Sequence, residues 1–429
     1  MKVLMFGWEF PPHISGGLGT ACYGLTKGMT SFPDMEILFV IPKAFGDEDR
    51  SSIGLIGANN VHIRLRDVRM SGFLKEIQQI EVGINLLPYV DPELYEKCST
   101  ESLLGENKFI TSDFDGKLHF TGGYGKNLIQ EISNYALVGA AIATEHSFDV
   151  IHAHDWLCYP AGIAAKYISG KPLVIHVHAT DFDRSGGNVN PVVYNIEKQG
   201  MEAADKIITV SNLTRNIVIE KYGIAPEKIV TVYNAVEPLE INGLTKGFLR
   251  GNFDEKIVTF LGRITMQKGP EYFIEAANLV LKKMSGVRFV MAGSGDMMNK
   301  MIRRAARLGI CDKFSFTGFL KGDDVYRMFQ LSDVYVMPSV SEPFGISPLE
   351  AMQSNVPVII SRQSGVAEIL KHAIKIDFWD THAMADAIYG ILNYSALHRI
   401  FSKQGKNEVD NLKWETSASH VRNVYYSVI

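Results

Sequence analysis

The stretch Ser341-Glu342-Pro343-Phe344-Gly345-Ile346-Ser347-Pro348-Leu349-Glu350-Ala351-Met352 constrains this chain more than any other. It follows Val334-Tyr335-Val336-Met337, an apolar run of the kind that forms a buried strand. Pro338-Ser339 ends that strand. Ser347-Pro348 then opens a helix, with Ser as N-cap and Pro at the first helical position, where no hydrogen bond is lost. A strand, a glycine-bearing loop and a helix N-terminus in succession leave free N–H groups and partial positive charge, which suit an anion such as a diphosphate. Glu342 lies in the loop just before that end. A carboxylate belongs beside an anion site when the ligand also offers hydroxyls or a developing cation, and a nucleotide sugar offers all three. Ser347-Pro348-Leu349-Glu350 also fits a capping box, a role for Glu350 that can coexist with ligand binding.

A chain of 429 residues exceeds one ordinary core, so two domains are expected. A net charge of −4 excludes a broad nucleic-acid footprint. Cys22, Cys98, Cys158 and Cys311 are widely spaced without a zinc or C-x-x-C pattern, which fits a reducing cytoplasm. Met1 to Phe6 is too short for a signal or a membrane span and is interrupted by Glu9 and two prolines, so it is taken as a first strand. Arg64, Arg66, Arg69 and Lys75 form a basic cluster, taken as a solvated face rather than a membrane contact.

In the N-terminal half, strands are expected at Lys2–Phe6, Glu36–Ile41, Val61–Arg66, up to His154, at Leu173–His178, Lys206–Ser211 and Ile229–Tyr233. Helices are expected over Ala21–Met29, Tyr159–Ser169 and Asn212–Tyr222. Residues 67–135 carry few motifs, 91–125 suggesting loops or a small hairpin, and a linker with glycines at 243, 247 and 251 is expected over 237–254. Between the first strand and helix lies Gly7-Trp8-Glu9-Phe10-Pro11-Pro12-His13-Ile14-Ser15-Gly16-Gly17-Leu18-Gly19, where glycine lets backbone approach a ligand. His154-Asp155-Trp156 and His178-Ala179-Thr180-Asp181 leave strand ends, where open α/β sheets bind ligands. His176 and His178 share a face by strand alternation. His152 and His176 are taken as satisfied core residues.

The C-terminal half restarts a βα alternation at Lys256–Leu261, with strands expected at Arg288–Ala292, Phe314–Phe316, Val334–Met337 and Val356–Ser361, and a last helix over Trp414–Tyr426. Gly262-Arg263-Ile264-Thr265-Met266-Gln267-Lys268-Gly269 leaves the first of these strands. Arg263 and Lys268, on one loop at a strand's carboxyl end, can converge on one diphosphate, Arg as a planar fork and Lys as a compact charge.

These strings together resemble the retaining glycosyltransferases of the GT-B fold, families 4 and 5, and glycogen (starch) synthases in particular. Glu342-x7-Glu350 with Pro-Phe-Gly inside matches the donor-site signature, and Arg263-x4-Lys268-Gly the pair that neutralises the departing diphosphate. The N-terminal string resembles the family's glycine loop, although Ile14 stands where bacterial and plant synthases carry Lys, which removes one expected phosphate contact. Asn234-Ala235-Val236-Glu237 resembles the family's Asn-Gly-Val-Asp turn without its glycine, and Gln363 to Glu368 a loop at the rear of the donor site.

The resemblance implies an α/β chain of two doubly wound Rossmann-like domains facing a cleft that closes over the donor, residues 1–240 completed by 405–429, and residues 241–404 holding the nucleotide sugar. It implies catalytic roles for Glu342, His178, Arg263 and Lys268. Donor contacts fall to Gly16, Gly17, Phe344, Gly345, Ile346, Ser347, Glu350 and Leu320, with His154, Asp155 and Asp181 on the acceptor side. The Asp47/Asp49, Asp113/Asp115 and Asp181/Asp183 pairs are not taken as the metal-binding pair of GT-A enzymes, and no metal or other cofactor is expected. The expected partners are a nucleoside-diphosphate sugar and a glucan or other saccharide acceptor, with neither nucleic acid nor membrane. The leading expectation is transfer of glucose from UDP- or ADP-glucose to the non-reducing end of an α-1,4-glucan. The alternative is a family 4 transferase building a surface polysaccharide or glycolipid. A sugar-nucleotide epimerase shares the fold but lacks the combination of Arg263, Lys268 and Glu-x7-Glu, and a binding module without catalysis does not need all of these elements.

Overall fold

A computed structural model describes residues 1–14, 16–51, 53–64, 115–238 and 254–429. The chain divides into two units, one of Met1–Asp181, Asn188–Asn234 and Trp414–Ile429, the other of Phe182–Gly187 and Ala235–Lys413. The expected ranges placed the joints at 240/241 and 404/405; here they fall at Asn234/Ala235 and Lys413/Trp414. The basic residues Arg66, Arg69 and Lys75, Cys98, Asp113, most of the 91–125 segment and most of the 237–254 linker lie outside the described residues.

In the first unit, β1 (Lys2–Phe6) leads through α1 (Gly17–Thr30) to β2 (Glu36–Ile41) and β3 (Gly54–Gly57). A small antiparallel pair, β4 (His62–Arg64) with β5 (Asp115–Lys117), stands apart. The chain continues through α2 (Leu128–Glu145), β6 (Val150–His154), α3 (Tyr159–Ser169), β7 (Leu173–Val177), α4 (Asp181–Ser185), α5 (Pro191–Ala203), β8 (Lys206–Thr209), α6 (Asn212–Tyr222) and β9 (Ile229–Thr231). The main strands run parallel in the order β3-β2-β1-β6-β7-β8-β9. Every residue of β6 and β7 is buried, as expected of parallel strands covered on both faces. Helix starts follow local chemistry. The Asn190 side chain accepts from Val192 N–H ahead of Pro191, and Ser211 accepts from Thr214 N–H at 3.1 Å.

The second unit repeats the plan with β10 (Lys256–Leu261), α7 (Pro270–Leu281), β11 (Val287–Ala292), α8 (Met298–Arg307), β12 (Phe314–Gly318), α9 (Asp323–Leu331), β13 (Val334–Met337), α10 (Ser347–Gln353), β14 (Val358–Ser361), β15 (Ile374–Ile376), α11 (Thr381–Asn393) and α12 (Ser395–Val409). Its strands are also parallel, in the order β12-β11-β10-β13-β14-β15. Val258, Phe273, Phe289, Val334 and Ile359 form the fully buried centre of its core. No helix of the described residues is long and apolar enough to cross a membrane.

The last helix, α13 (Trp414–Tyr426), belongs to the first unit and packs on α1. Arg422 and Tyr426 both bond Asp34 at 2.7 Å, and Ser417 donates to the Tyr233 carbonyl at 2.7 Å. The contact is close because Gly24 and Gly28 of α1 face Trp414; a Cβ on Gly28 would lie 2.7 Å from the Trp414 carbonyl oxygen. Backbone cannot yield as a side-chain tip can. The Gly28→Ala variant is therefore expected to lose about 1–3 kcal/mol of stability through overpacking. Urea unfolding followed by Trp fluorescence checks this, and an unchanged midpoint would mean that α13 does not lock onto α1.

Candidate active site

In the second unit the strand order reverses between β10 and β13. Open α/β sheets take ligands outside the strand carboxyl ends at such a point. The loops leaving these strands carry Arg263 and Lys268 on one side and Glu342 on the other. Gly269 lets the loops approach: its φ is 65°, and a Cβ there would sit 2.1 Å from the Pro338 carbonyl oxygen. Val340 N–H donates to the Gln267 carbonyl at 2.8 Å, which fixes one loop against the other. Lys268 Nζ then donates to Glu342 Oε2 at 2.5 Å, and Ser339 Oγ donates to the same oxygen at 3.0 Å. The Lys268 side chain is 21% exposed and that of Glu342 8%. Arg263 lies on the same loop, its Nη2 3.5 Å from Gln267 Oε1.

The acidic loop is also held from behind. Glu342 N–H donates to the Gln363 carbonyl at 2.9 Å, Gly365 N–H to the Glu342 carbonyl at 2.9 Å, and Val366 N–H to the Phe344 carbonyl at 2.8 Å. Phe344 is buried. Gly345 takes φ 97°, with Glu342 Cγ and Met337 Sδ each 3.1 Å from where a Cβ would be. This turn corrects the expected cap. Ile346 is already helical, so α10 starts with Ser347 inside it and no side chain caps it. The Ser347 hydroxyl instead bonds Tyr335 Oη at 2.8 Å. Desolvation pushes the Glu350 carboxyl up to about 7. Leu320 is half-buried against Ile257, Val290, Ala292 and Met328, next to exposed Phe319.

The first sheet reverses between β1 and β6. After β1, Gly16 and Gly17 are exposed at the start of α1, which has neither a side-chain cap nor an acidic first turn. Ser15 lies outside the described residues. After β6, Asp155 has φ 57° and accepts from the N–H groups of His178 (2.7 Å) and Ala179 (3.3 Å). Its carboxylate therefore shapes the end of β7. Asp181 is buried likewise, accepting from Asn190 N–H at 2.6 Å. Asp183, grouped with the second unit, accepts from the Ser341 hydroxyl at 2.5 Å.

His152, His154, His176 and His178 form one stack across β6 and β7, because His154 pairs with His176 in register and alternate residues share a face. His154 Nδ1 and His178 Nε2 are 2.9 Å apart. His152 Nδ1 bonds the Tyr425 hydroxyl. The expectation that His152 and His176 are satisfied core residues needs correcting: both are buried, but Nε2 of His152 and both ring nitrogens of His176 have no hydrogen-bond partner. Burial lowers His152 and His178 to about 3, and His154 and His176 well below the usual histidine range.

Among the described residues, three sets of potential metal ligands have one atom from each residue within 4.8 Å of the others: His152, His154 and His176; Cys22, His154 and His178; His13, Asp47 and Glu48. The first set has ring planes 18° to 27° apart, so its lone pairs run side by side rather than meeting at a point. In the third, Glu48 already accepts from the N–H groups of Phe45 and Gly46.

Two doubly wound domains, with a Lys–Glu pair and a nearby Arg at one switch point, define a class, and family comparison gives the same one. Residues 121–238 match the model described as Glycosyltransferase Family 4, and residues 248–408 the model described as Glycosyl transferases group 1. The chain belongs to the GT-B glycosyltransferases of families 4 and 5 and resembles glycogen synthase. An uncharacterized glycosyltransferase of Methanocaldococcus jannaschii is 28% identical over 446 residues, covering 99% of this chain and 98% of that one. Glycogen synthase of Mycobacterium tuberculosis is 22% identical over 436 residues, covering 99% and 94%. Anabaena HepE, solved with UDP and glucose, shares the fold with TM-score 0.67 at 17% identity over the whole of both chains.

The buried histidines set an acid limit on stability. His152 stays neutral in the folded chain down to about pH 3, whereas its unfolded value is 6.5. Between those values the unfolded chain binds the extra proton, so stability falls as pH falls, by about 1.4 kcal/mol per pH unit for each such group. Lowering pH from 7 to 5 is expected to cost about 2 kcal/mol from His152 alone. Urea titrations at the two pH values check this, and His152→Gln is expected to remove the His152 share of the dependence while the other three histidines keep theirs.

Proposed function

We propose that the chain is a retaining hexosyltransferase that moves glucose from a nucleoside-diphosphate glucose to the non-reducing end of an α-1,4-glucan. The observation that carries this reading is the Lys268–Glu342 pair at the switch point of the second sheet, with Arg263 on the same loop. In the free chain Glu342 neutralises Lys268. A diphosphate offers Lys268 a second anionic partner and leaves the Glu342 carboxylate facing positive charge that develops on the sugar.

As the bond between the anomeric carbon and the diphosphate breaks, its electron pair passes to the phosphate oxygen. Arg263 and Lys268 stabilise that growing charge, the kind of preorganised electrostatics that dominates such reactions. Their two positive charges take the part a metal would otherwise play. Glu342 stabilises the oxocarbenium-like sugar or holds its hydroxyls. His178 meets a sugar hydroxyl, and Glu350 the ribose. The departing phosphate takes the proton of the incoming hydroxyl on the face it leaves, which gives retention. Asp155 and Asp181 serve by fixing the backbone around His178 and residue 190. Glucose and glucan specificity is supported by the likeness to glycogen synthase along almost the whole chain and by the UDP and glucose held by HepE. A reducing cytoplasm supplies both substrates.

The test is incubation with radiolabelled UDP- and ADP-glucose and either glycogen or membrane lipid. Label in glycogen is expected; label in lipid alone would reject the glucan reading in favour of the surface polysaccharide or glycolipid alternative. Glu342→Gln is expected to lower transfer by about 10²–10³-fold, the range for removing one preorganised charged group. Nucleoside diphosphate binding, followed by calorimetry, should survive or tighten, because Lys268 is freed; weakened binding with unchanged turnover would refute the assignment. Ribose hydroxyls donating to Glu350 favour its ionised form, so below about pH 7 binding must release a proton. Donor affinity should therefore weaken from pH 8 to pH 6, and Glu350→Gln should remove that dependence.

A further inference from the structure

We propose that His154 is a positioning residue that fixes the tautomer of His178, leaving the His178 Nδ1–H as a hydrogen-bond donor for a substrate oxygen. This rests on the reading in which His178 touches the donor sugar.

Two neutral imidazoles joined by one hydrogen bond have two ways to share their protons. Either His154 Nδ1–H donates to His178 Nε2, or His178 Nε2–H donates to His154 Nδ1. The surroundings of His154 separate the two. Its other nitrogen, Nε2, is buried with no partner. In the second arrangement the one proton of His154 must sit on that Nε2, as a buried N–H with nothing to accept it. In the first, Nε2 is a bare lone pair. Orphaned buried N–H groups are rarer than orphaned acceptors, and each costs its desolvation. The Cys22 sulfur lies within 4.8 Å of one nitrogen of each ring, but it does not change the balance. Burial holds that thiol protonated, and a thiol is a poor acceptor. The shared proton therefore belongs to His154.

The consequence falls on His178. With Nε2 occupied as an acceptor, its own proton is on Nδ1. Desolvation keeps the ring neutral, so it is neither a cation nor, at that nitrogen, a base. It can only donate, and the oxygen it meets must accept, as a sugar hydroxyl does. Asp155 anchors the same residue from the backbone side through His178 N–H at 2.7 Å, so the ring is held by the last residue of β6 and the main chain by the residue after it.

Selective 15N-histidine labelling tests this on the full-length, ligand-free chain. Signals of His178, identified by their loss in His178→Gln, are expected at the shifts of an Nδ1–H, Nε2-unprotonated ring. An Nε2–H ring overturns the proposal. Two substitutions extend the test. His154→Leu fills volume without a donor, and is expected to shift His178 toward a mixture of tautomers and lower transfer by roughly tenfold, one hydrogen bond's worth. His154→Asn, whose amide can donate from near the Nδ1 position, is expected to restore the tautomer and most of the rate. An unchanged His178 tautomer in His154→Leu also overturns the proposal. Because the nitrogen shifts are read without substrate, failure of the glucosyl-transfer reading and failure of the tautomer assignment give different results.

Discussion

The structure around the second switch point depends on one ion pair being held in place before any ligand arrives. Lys268 and Glu342 are largely shielded from water, and removing two charges from water costs several kcal/mol each unless they satisfy one another. In that setting each charge is compensated by the other. The surrounding backbone therefore leaves them little freedom: Gly269 permits the close approach, the Val340–Gln267 bond joins the loops, and the 363–366 segment holds Glu342 from behind. Ser339 supplies a further donor to the carboxylate. A cation already aimed by its own protein anion need not be reorganised when a phosphate approaches, which is the condition under which electrostatic stabilisation is most effective.

The first unit meets the same topological opportunity by different means. Beside its switch point, between β1 and β6, it carries a stack of imidazoles on and just after β6 and β7, and burial holds them neutral. A stack of neutral rings carries no net charge, but its hydrogen bonds have direction. The imidazole stack carries a cost in orphaned nitrogens, and α13 offsets part of it by bringing Tyr425 to His152. The return of α13 thus contributes polar satisfaction to the core as well as apolar cover.

Much of this was legible in the chain because local signals were strong. The limits of β1, β2, β10, β13, α3, α6 and α13 agree with expectation, since apolar runs are bounded by turn residues and α6 has a Ser cap. Helix α2 escaped notice because it is buried around most of its circumference, from Leu128 to Ala143, which hides the 3.6-residue period. Gly139 there, with Ala161 O 2.7 Å from a notional Cβ, marks close packing on α3 that a lone glycine does not announce. The membership of the second site was visible in Arg263, Lys268 and Glu342, but not the bond between residues 74 positions apart. Strand alternation placed His152 with His154 and His176 with His178; the register of β6 on β7, which makes four rings one stack, is a tertiary fact.

The two glutamates of the signature show why identical side chains eight positions apart need not share a task. Glu342 has a cation and a hydroxyl on its carboxylate. Glu350, one turn into α10, is desolvated, and its carboxyl is pushed up to about 7. A glycosidase also sets two carboxylates in contrasting environments, one as acid and one as nucleophile across the scissile bond. Here the pairing of Glu342 with Lys268 argues against that arrangement, because a carboxylate already neutralised by a cation is a weak nucleophile. On the proposed reading the contrast serves binding: Glu350 stays near neutrality until ribose hydroxyls compensate its charge, whereas Glu342 is paired with Lys268 and exchanges that partner for the developing sugar cation as the phosphate departs.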